Sequence, residues 1–502
     1  MHRAAPVAIS GMGLVTAAGS CLPDTLRALE RGGEFQPSPP PFAAAHGFPV
    51  FRCADTASGL CPERPEGRRG KRGRAGVFLN PPDAPVRLSR TTTLALRAAR
   101  EAWRSAGFSA TEEPPGLRLG IVVGTSVGAS LDFFSLYAAL KSGKNAVGLC
   151  PERTNDGCRT NALRRADGIR GADDVCGTDD ACRTNSARGV DDVCGADDVR
   201  GTDDVCGTNA ACGEDGAWEE DSPANALDGF PSAELEEYLT ANPAQALGEI
   251  FRCSGPAVSV ADACSSGADA VGIGAGWIRS GLCDLVLAGG ADALSYITYA
   301  GFACLRLPSP TVCRPFDRRR DGLTLGEGAG FMLLETEASR RRRGVKAAAF
   351  AAGYGTAADA YHLTAPHPEG RGLALAVDHA LAQAGLCVED MAFINAHGTA
   401  TAVNDAAEAA FFATRCPGIP VIATKGATGH TLGAAGAVEA VLSAAHLAAG
   451  RLPATANFRE PDPALGFSPV SAPSPVRGRA AMSLSLAFGG NNSALILTGG
   501  EQ

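Results

Sequence analysis

A short apolar run that ends at a cysteine and then opens a helix of small residues is the feature that most constrains this chain. The run covers residues 256–261, and the segment 260–267 reads VADACSSG. Small and apolar residues follow at helical spacing, which predicts a strand, a tight turn and then a helix. Cys264 would lie at the start of that helix, where free N–H groups and the macrodipole favour an anion and lower the pKa of a thiol. Cys264 is therefore a candidate nucleophile, and the alternative is a buried structural cysteine.

Two histidines lie in turns rich in glycine and threonine, far from Cys264 in the sequence. His397 follows a short apolar strand within residues 394–401 (INAHGTAT). His430 lies in residues 424–436 (TKGATGHTLGAAG), a segment that then opens a helix. A cysteine with distant histidines is a candidate set of nucleophile and base. Either histidine alone is more often structural, but two such turns favour the catalytic interpretation.

The order helix, buried strand, glycine–threonine turn occurs once in each half of the chain. Residues 91–106 have helical spacing and precede the apolar strand 119–124, and residues 373–384 precede the strand 392–396 in the same way. The recurrence indicates two similar α/β units. We place the boundary near residues 337–344, where a run of arginines separates two apolar strands.

Four further motifs, taken with the segments above, carry a resemblance to a known family. Residues 314–317 read RPFD, 320–322 read RDG, 326–330 read GEGAG and 485–492 read SLAFGGNN. In this order the segments resemble the β-ketoacyl-[acyl carrier protein] synthases, the elongating condensing enzymes with a Cys-His-His triad. The resemblance implies a thiolase-like α/β fold of five layers, α-β-α-β-α, built from two similar halves. Here the halves would be residues 1–340 and 341–502.

The resemblance also implies roles for individual side chains. Cys264 would carry the acyl group, and His397 and His430 would hydrogen-bond the enolate formed from the malonyl unit. The backbone N–H groups of Cys264 and Phe488 would form the oxyanion hole. Phe488 would also act as a gate, two residues after Leu486, where the family often has phenylalanine. The other implied residues are a lysine, three acidic residues around it and two threonines that contact the pantetheine arm: Lys425, Asp405, Glu408, Glu439, Thr399 and Thr401. No metal and no cofactor is implied.

The activity implied by the resemblance is a decarboxylative Claisen condensation. An acyl thioester would react with malonyl-acyl carrier protein to give a β-ketoacyl-acyl carrier protein in fatty acid elongation. The partner would be an acyl carrier protein carrying acyl and malonyl groups, and the assembly a homodimer. The alternatives are a ketosynthase of a polyketide or polyene pathway and a non-catalytic chain-length partner subunit. A degradative thiolase is disfavoured because such enzymes use a second cysteine in place of the His430 loop.

One acidic segment departs from the family pattern. The net charge is −9, but residues 145–231 hold 19 acidic and 8 basic residues, so the rest of the chain is close to neutral. Residues 153–212 divide into hexads of the form Gly/Arg-x-Asp/Asn-x-x-Cys/Arg. Repeats this poor in aliphatic residues predict a disordered low-complexity insertion. A small β-solenoid and a segment with metal or thiol chemistry are the alternatives.

Composition and motifs argue against several other classes of protein. The 17 cysteines include no Cys-x-x-Cys pair, which argues against zinc and iron–sulfur sites. Arginine clusters near residues 68–74 and 340–343 come without a nucleic-acid-binding motif and are predicted to be surface suited to an acidic carrier protein. Residues 32–87, rich in Pro, Gly and Arg, are predicted to be surface loop. With no signal-like N-terminus and no uncharged apolar run of about 20 residues, a soluble cytoplasmic protein without membrane contact is expected.

Overall fold

Ten strands form one mixed sheet in which the same pattern occurs twice. The computed structural model describes residues 4–32, 35–42, 44, 46–54, 88–109, 116–126 and 242–500, and the predicted insertion at 145–231 lies outside them. In chain order the strands are β1 (Val7–Val15), β2 (Val50–Phe51), β3 (Leu119–Gly124), β4 (Ala257–Val260), β5 (Leu285–Asp292), β6 (Leu325–Gly326), β7 (Gly328–Glu335), β8 (Ala349–Ala358), β9 (Met391–Asn395), β10 (Val421–Ile422), β11 (Arg451–Leu452), β12 (Ser474–Pro475), β13 (Ala480–Leu486) and β14 (Asn491–Gly499). Pairs β2–β6 and β11–β12 form two small separate sheets.

The order of strands across the large sheet is β10-β9-β13-β14-β8-β1-β7-β5-β3-β4. At one end β4, β3 and β5 are parallel, and β7 and β1 follow antiparallel. At the other end β10, β9 and β13 are parallel, and β14 and β8 follow antiparallel. The antiparallel pairing of β1 with β8 joins the two ends. The duplicated α/β unit expected from the sequence is therefore confirmed by strand order and direction.

Helices lie outside and between the two halves of the sheet. They are α1 (Leu22–Arg31), α2 (Arg90–Ser105), α3 (Pro243–Ile250), α4 (Ser266–Arg279), α5 (Tyr296–Cys304), α6 (Glu337–Arg343), α7 (Arg371–Ala384), α8 (Ala402–Arg415), α9 (Lys425–Thr428) and α10 (Ala435–Ala449). Helix α2 packs on β1 and β7, and α7 packs on β8 and β14. Helices α4 and α10 contact each other and strands of both halves. The layers are thus α2, the first half of the sheet, α4 with α10, the second half and α7, as the thiolase-like expectation required.

The sequence patterns that predicted these helices correspond to their buried faces. In α2 the side chains at helical spacing, among them Leu94, Leu96 and Trp103, are buried, and Ser89 caps the helix by accepting a hydrogen bond from the Thr92 N–H at 3.0 Å. Helix α10 is apolar on all sides. The stretch Leu432–Ala449 is long and apolar enough to cross a membrane by composition, yet 89% of it is buried within the protein. It is the core helix of the central layer.

Helices α4 and α10 approach each other so closely that glycine is required at the contact. A Cβ placed on Gly267 of α4 would lie 2.7 Å from the backbone nitrogen of Ala437, and one on Gly436 of α10 would lie 2.8 Å from Ala268. This contact brings together the two turns that precede the helices. One of those turns contains Cys264, and the other follows His430 directly.

We expect Gly267→Ala to destabilise the protein by about 1–3 kcal/mol, because the added methyl group would overlap the backbone of α10. The matched control is Gly276→Ala in the same helix, where nothing lies within 4 Å of the new Cβ. That substitution should stabilise the protein by about 0.5–1 kcal/mol through helix propensity alone. Urea unfolding of both variants checks the pair, and equal shifts of the same sign would contradict the close contact.

Two surface predictions need correction. Within the predicted loop 32–87, Val50 and Phe51 are buried because β2 pairs with β6. In the arginine run, Arg340 and Arg343 turn inward, and only their neighbours project outward. Arg340 pairs with Glu337, and Arg343 pairs with Glu335 at 2.8 Å and stacks over a phenylalanine ring. These pairs form because α6 packs its amphipathic face against the protein.

Candidate active site

Cys264 lies in a tight turn between β4 and α4, as the sequence predicted. The 3₁₀ turn Ala263–Ser265 runs directly into the helix. Ala263 has φ 46°, a left-handed conformation that costs energy for a residue with a Cβ. The hydroxyl of Ser266 holds the turn, since it donates to the Ala263 carbonyl at 2.7 Å and accepts from the Asp262 N–H at 2.7 Å. The nucleophile candidate is therefore presented on a rigid, strained turn.

The pKa of Cys264 differs from the sequence prediction. Burial raises the pKa of the Cys264 thiol to about 12, and the nearby Lys425 ammonium and the N–H of Phe488, which donates to the sulfur, offset this only in part. The expected lowering of the Cys264 pKa was wrong. Removing a thiolate from water costs more free energy than its interaction with the helix N-terminus recovers. Cys264 is a protonated thiol at neutral pH.

The loop that carries His397 is held by two carboxylates of α8. The N–H groups of His397 and Gly398 donate to the two oxygens of Glu408, each at 2.7 Å. Asp405 accepts the N–H of Ala400 at 3.1 Å. These two acidic residues are one turn apart on the same face of α8, which points at the loop following β9.

Lys425 orients the imidazole of His397. Its Nζ lies 3.1 Å from His397 Nδ1, 2.5 Å from the His397 carbonyl oxygen and 2.5 Å from Glu439 Oε1. Because an ammonium group only donates, Nδ1 must accept, and the proton of the neutral ring is assigned to Nε2. Burial and the neighbouring Lys425 and His430 hold the pKa of His397 well below its usual value. His397 is a neutral hydrogen-bond donor through Nε2.

The predicted set of three acids around Lys425 is wrong in part. Glu439 alone among the three forms a described ion pair with Lys425. Asp405 accepts the N–H of Phe316 at 2.7 Å and lies 3.9 Å from the guanidinium of Arg320, while Glu408 binds the His397 loop. Burial raises the pKa of Glu408 and of Glu439 to about 7.

His430 faces His397 across the site. Its backbone N–H donates to the Thr324 carbonyl at 2.8 Å, and its carbonyl accepts from Gly326 at 3.0 Å, so the residue is fixed beside β6. The two imidazole rings are 5.3 Å apart between centroids and nearly perpendicular, at 86°. Burial and Lys425 also hold the pKa of His430 well below its usual value. Its Nδ1 has no partner among the described residues, so either nitrogen can carry the proton.

The remaining predicted residues line the same region. Thr399 and Thr401 are joined by a hydrogen bond of 2.9 Å between their hydroxyl oxygens. Phe488 is half-buried and stacks on Phe302 at 5.4 Å between ring centroids. Leu486 ends β13 and is buried. Phe302 in turn contacts His430 edge-on at 6.5 Å.

Sequence analysis missed Asp292, which joins the end of β3 to the turn that follows His430. It ends β5 and accepts hydrogen bonds from the Thr125 hydroxyl at 2.7 Å, the Ser126 N–H at 2.9 Å and the Gly433 N–H at 2.6 Å. Burial raises its pKa to about 6. A single acidic residue at the end of an apolar strand was the available signal. Phe302 had no signal, because one aromatic residue in an apolar helix is ordinary.

The site thus combines five groups: the protonated, buried thiol of Cys264, the Phe488 N–H that donates to its sulfur, the neutral imidazoles of His397 and His430, and Lys425. The charge of Lys425 lowers the pKa of Cys264, His397 and His430 alike, and among these Lys425 contacts His397 directly. N–H donors converging on a nucleophile can stabilise an oxygen that gains negative charge, which is what acyl transfer requires.

Two family models and several known proteins are similar to this chain. Models of the N-terminal and C-terminal domains of β-ketoacyl synthase match residues 194–339 and 348–459. The mitochondrial 3-oxoacyl-[acyl-carrier-protein] synthase of Arabidopsis thaliana is 39% identical over 258 residues, 48% of this chain and 56% of that protein. Nodulation protein E of Rhizobium meliloti is 37% identical over 279 residues, 54% of this chain and 69% of that protein. The chain thus spans little more than half the length of the Arabidopsis relative.

Among solved structures, the ishigamide ketosynthase/chain length factor superposes with a TM-score of 0.70 at 26% identity. The superposition covers 99% of this chain and 100% of that one.

Proposed function

Because this chain belongs to the β-ketoacyl synthase family, we propose that it condenses an acyl thioester with malonyl-acyl carrier protein in fatty acid elongation. The observation that supports this most directly is the pair of neutral imidazoles, His397 and His430, whose rings face each other at 5.3 Å between centroids. The products would be a β-ketoacyl-acyl carrier protein and CO₂, with no cofactor required.

In the first step the sulfur of Cys264 attacks the acyl thioester carbonyl. The tetrahedral oxyanion is stabilised by the N–H groups of Cys264 and Phe488, and collapse expels the pantetheine thiol. The thiol proton of Cys264 leaves with that thiol, so the acyl group moves from one sulfur to another without net redox change.

In the second step malonyl carrier protein binds and loses CO₂. The electron pair of the broken C–C bond passes into the thioester as an enolate, whose oxygen accepts hydrogen bonds from His397 and His430. The carbanion then attacks the acyl-Cys264 carbonyl, the new C–C bond forms and the C–S bond breaks. The Cys264 thiolate that leaves takes up one proton from water, which restores the thiol. Neutral rings suit this role because they donate without giving up a proton to the enolate.

The acyl carrier protein is the proposed partner, and Thr399 and Thr401 are the proposed contacts for its pantetheine arm. Both threonines lie directly after His397, where a thioester entering the site would pass. In the arginine run 340–343, Arg340, Arg341 and Arg343 each form an ion pair within the protein. Arg342 is therefore the proposed contact of this run for an acidic carrier. A cytoplasmic site of action stays a prediction.

The proposed assembly is a homodimer that pairs through β4. This strand is the outer edge of the large sheet, and Val258 on it is 42% exposed. An uncovered apolar edge strand is a template for pairing with another chain. A second copy would extend the sheet and cover Val258.

A ketosynthase role in a polyketide or polyene pathway is the second candidate. The superposed structure supports it, because it is described as the ishigamide ketosynthase/chain length factor. The third possibility, a non-catalytic partner subunit, is disfavoured by the presence of Cys264 on its strained turn.

Intact-protein mass spectrometry after incubation with a panel of acyl carrier proteins tests the proposal. The wild-type chain should gain one acyl mass, located on Cys264, and should release CO₂ from malonyl carrier protein. His430→Ala should still gain the acyl mass but lose decarboxylation by about 10²–10³-fold, the usual effect of losing an oxyanion donor. Chain-length preference within the panel separates fatty acid elongation from the polyketide alternative. No acyl adduct with any carrier would contradict both.

A further inference from the structure

One side-chain hydrogen bond links the two loops that carry the proposed oxyanion donors. The amide Nδ2 of Asn491 donates to Oδ1 of Asp262. Asp262 directly precedes the turn that holds Cys264, and Asn491 follows Phe488 after two glycines. The two residues are 229 positions apart in sequence, so this bond spans the two halves of the fold.

Backbone hydrogen bonds anchor the Phe488 loop to residues 359–363 but not to the nucleophile turn. The Gly489 N–H donates to the Leu363 carbonyl at 2.7 Å, and the Gly490 carbonyl accepts from the Asp359 N–H at 2.8 Å. Gly489 and Gly490 have φ 88° and 82°, a region that glycine enters freely. Ala487 donates to the Asn491 carbonyl at 2.7 Å, and Gly490 donates to the Ala487 carbonyl at 3.1 Å. These bonds close the loop upon itself without reaching Cys264. The Asn491 side chain supplies a bond from this loop to the nucleophile turn.

A second contact from the same face of β14 supports this arrangement. Side chains two apart on a strand share a face, and Ser493 donates to Oδ1 of Asp269 in α4. The hydroxyl of Ser265 in the nucleophile turn lies 2.8 Å from Oδ2 of the same carboxylate and 3.2 Å from Asp262 Oδ2, and it can donate to either. Strand β14 therefore holds the turn at two points, and Asn491 is the point nearer to Phe488.

Resting on the proposed function, we propose that Asn491 is a positioning residue that sets the separation of the Phe488 N–H from Cys264 through its bond to Asp262. The hydrogen-bonding groups of Asp262 and Asn491 are complementary. The carboxylate of Asp262 can only accept, and the amide of Asn491 offers N–H donors. Exchanging the two residues keeps one donor and one acceptor, whereas two carboxylates repel each other and separate the loops.

The test compares acylation of Cys264 with its alkylation by iodoacetamide, because only acylation passes through an oxyanion. In Asn491→Asp the acylation rate at saturating acyl carrier protein should fall by about 10–100-fold, since a displaced donor loses part of the 10²–10³-fold effect of an oxyanion N–H. The apparent KM and the alkylation rate should each change by less than about 3-fold, because the carrier contacts and the thiol itself are retained. Asn491→Ser, which shortens the donor without adding charge, repeats the measurement should the first variant fold poorly.

The exchanged double variant, Asp262→Asn with Asn491→Asp, provides the decisive control. It should recover acylation to within about 3-fold of wild type, as expected for a coupled pair. Unchanged acylation in Asn491→Asp and Asn491→Ser, a parallel fall of acylation and alkylation, or a double variant no faster than the single one would each overturn the inference. Absence of any acylation in the wild type would instead overturn the proposed function, and this inference with it.

Discussion

Replacing Cys264 with alanine should abolish acyl transfer and condensation, a loss on the order of 10⁴–10⁶-fold, as found when a covalent nucleophile is removed. Malonyl decarboxylation should continue in the same variant, because His397, His430 and the Phe488 N–H remain in place. The two variants would thus separate the two half-reactions. Cys264→Ala would lose acylation and keep malonyl decarboxylation, whereas His430→Ala would keep acylation and lose malonyl decarboxylation.

The measurement is acyl-adduct mass together with release of CO₂ from malonyl carrier protein. Cys283→Ala is the matched control, because Cys283 is also fully buried and burial raises the pKa of its thiol to about 11. Cys283 follows the C-terminal end of α4, the end opposite the nucleophile turn, so its variant should be acylated at the wild-type rate. An acyl adduct on the Cys264→Ala protein would contradict the assignment of the nucleophile.

Lys425→Met should lower the free energy of unfolding by about 3–5 kcal/mol, the usual cost of leaving one member of a buried ion pair without its partner. Lys425 and Glu439 are each 1% exposed, so solvent cannot replace the lost ammonium. Activity should fall as well. Without Lys425 the Nδ1 of His397 loses its donor, and the ring can carry its proton on the wrong nitrogen for the enolate.

The double variant, Lys425→Met with Glu439→Gln, separates the two effects. Neutralising both partners should restore most of the stability but not the activity, since the orientation of His397 stays unspecified. Arg371→Met is the control for loss of an ion pair in general. Its partner is Glu369, the pair is mostly exposed, and the urea midpoint should not move. A double variant as unstable as Lys425→Met would show that the single effect is packing rather than charge.

Local sequence patterns predicted the elements well. Five elements lie within a few residues of their expected bounds: the strand before Cys264, the helices near residues 91–106 and 373–384, and the strands before Thr125 and His397. These elements have apolar residues at a clear period, so their local preference and their buried faces agree. The three candidate catalytic residues could be named from their own segments together with the family resemblance. Cys264 precedes a helix of small residues, and His397 and His430 lie in turns that contain glycine.

Properties that depend on distant packing were predicted less well. The pKa of Cys264 is set by its burial under Phe488 and α10, and neither is visible in the segment 260–267. Asp405 and Glu408 were expected around Lys425 because they match acidic positions of the family that the sequence resembles. Their actual partners are backbone N–H groups, which a sequence does not distinguish from one another.

The glycine contact between α4 and α10 has a consequence for how acyl chains of different length are told apart. At this contact the two helices touch through backbone atoms. No side-chain substitution there can therefore lengthen or shorten a cavity for an acyl chain. Under the proposed function, residues that select acyl-chain length must lie outside this contact, as Phe302 does, which stacks on Phe488 and contacts His430. Closely related chains can then differ in product while the central pair of helices stays identical.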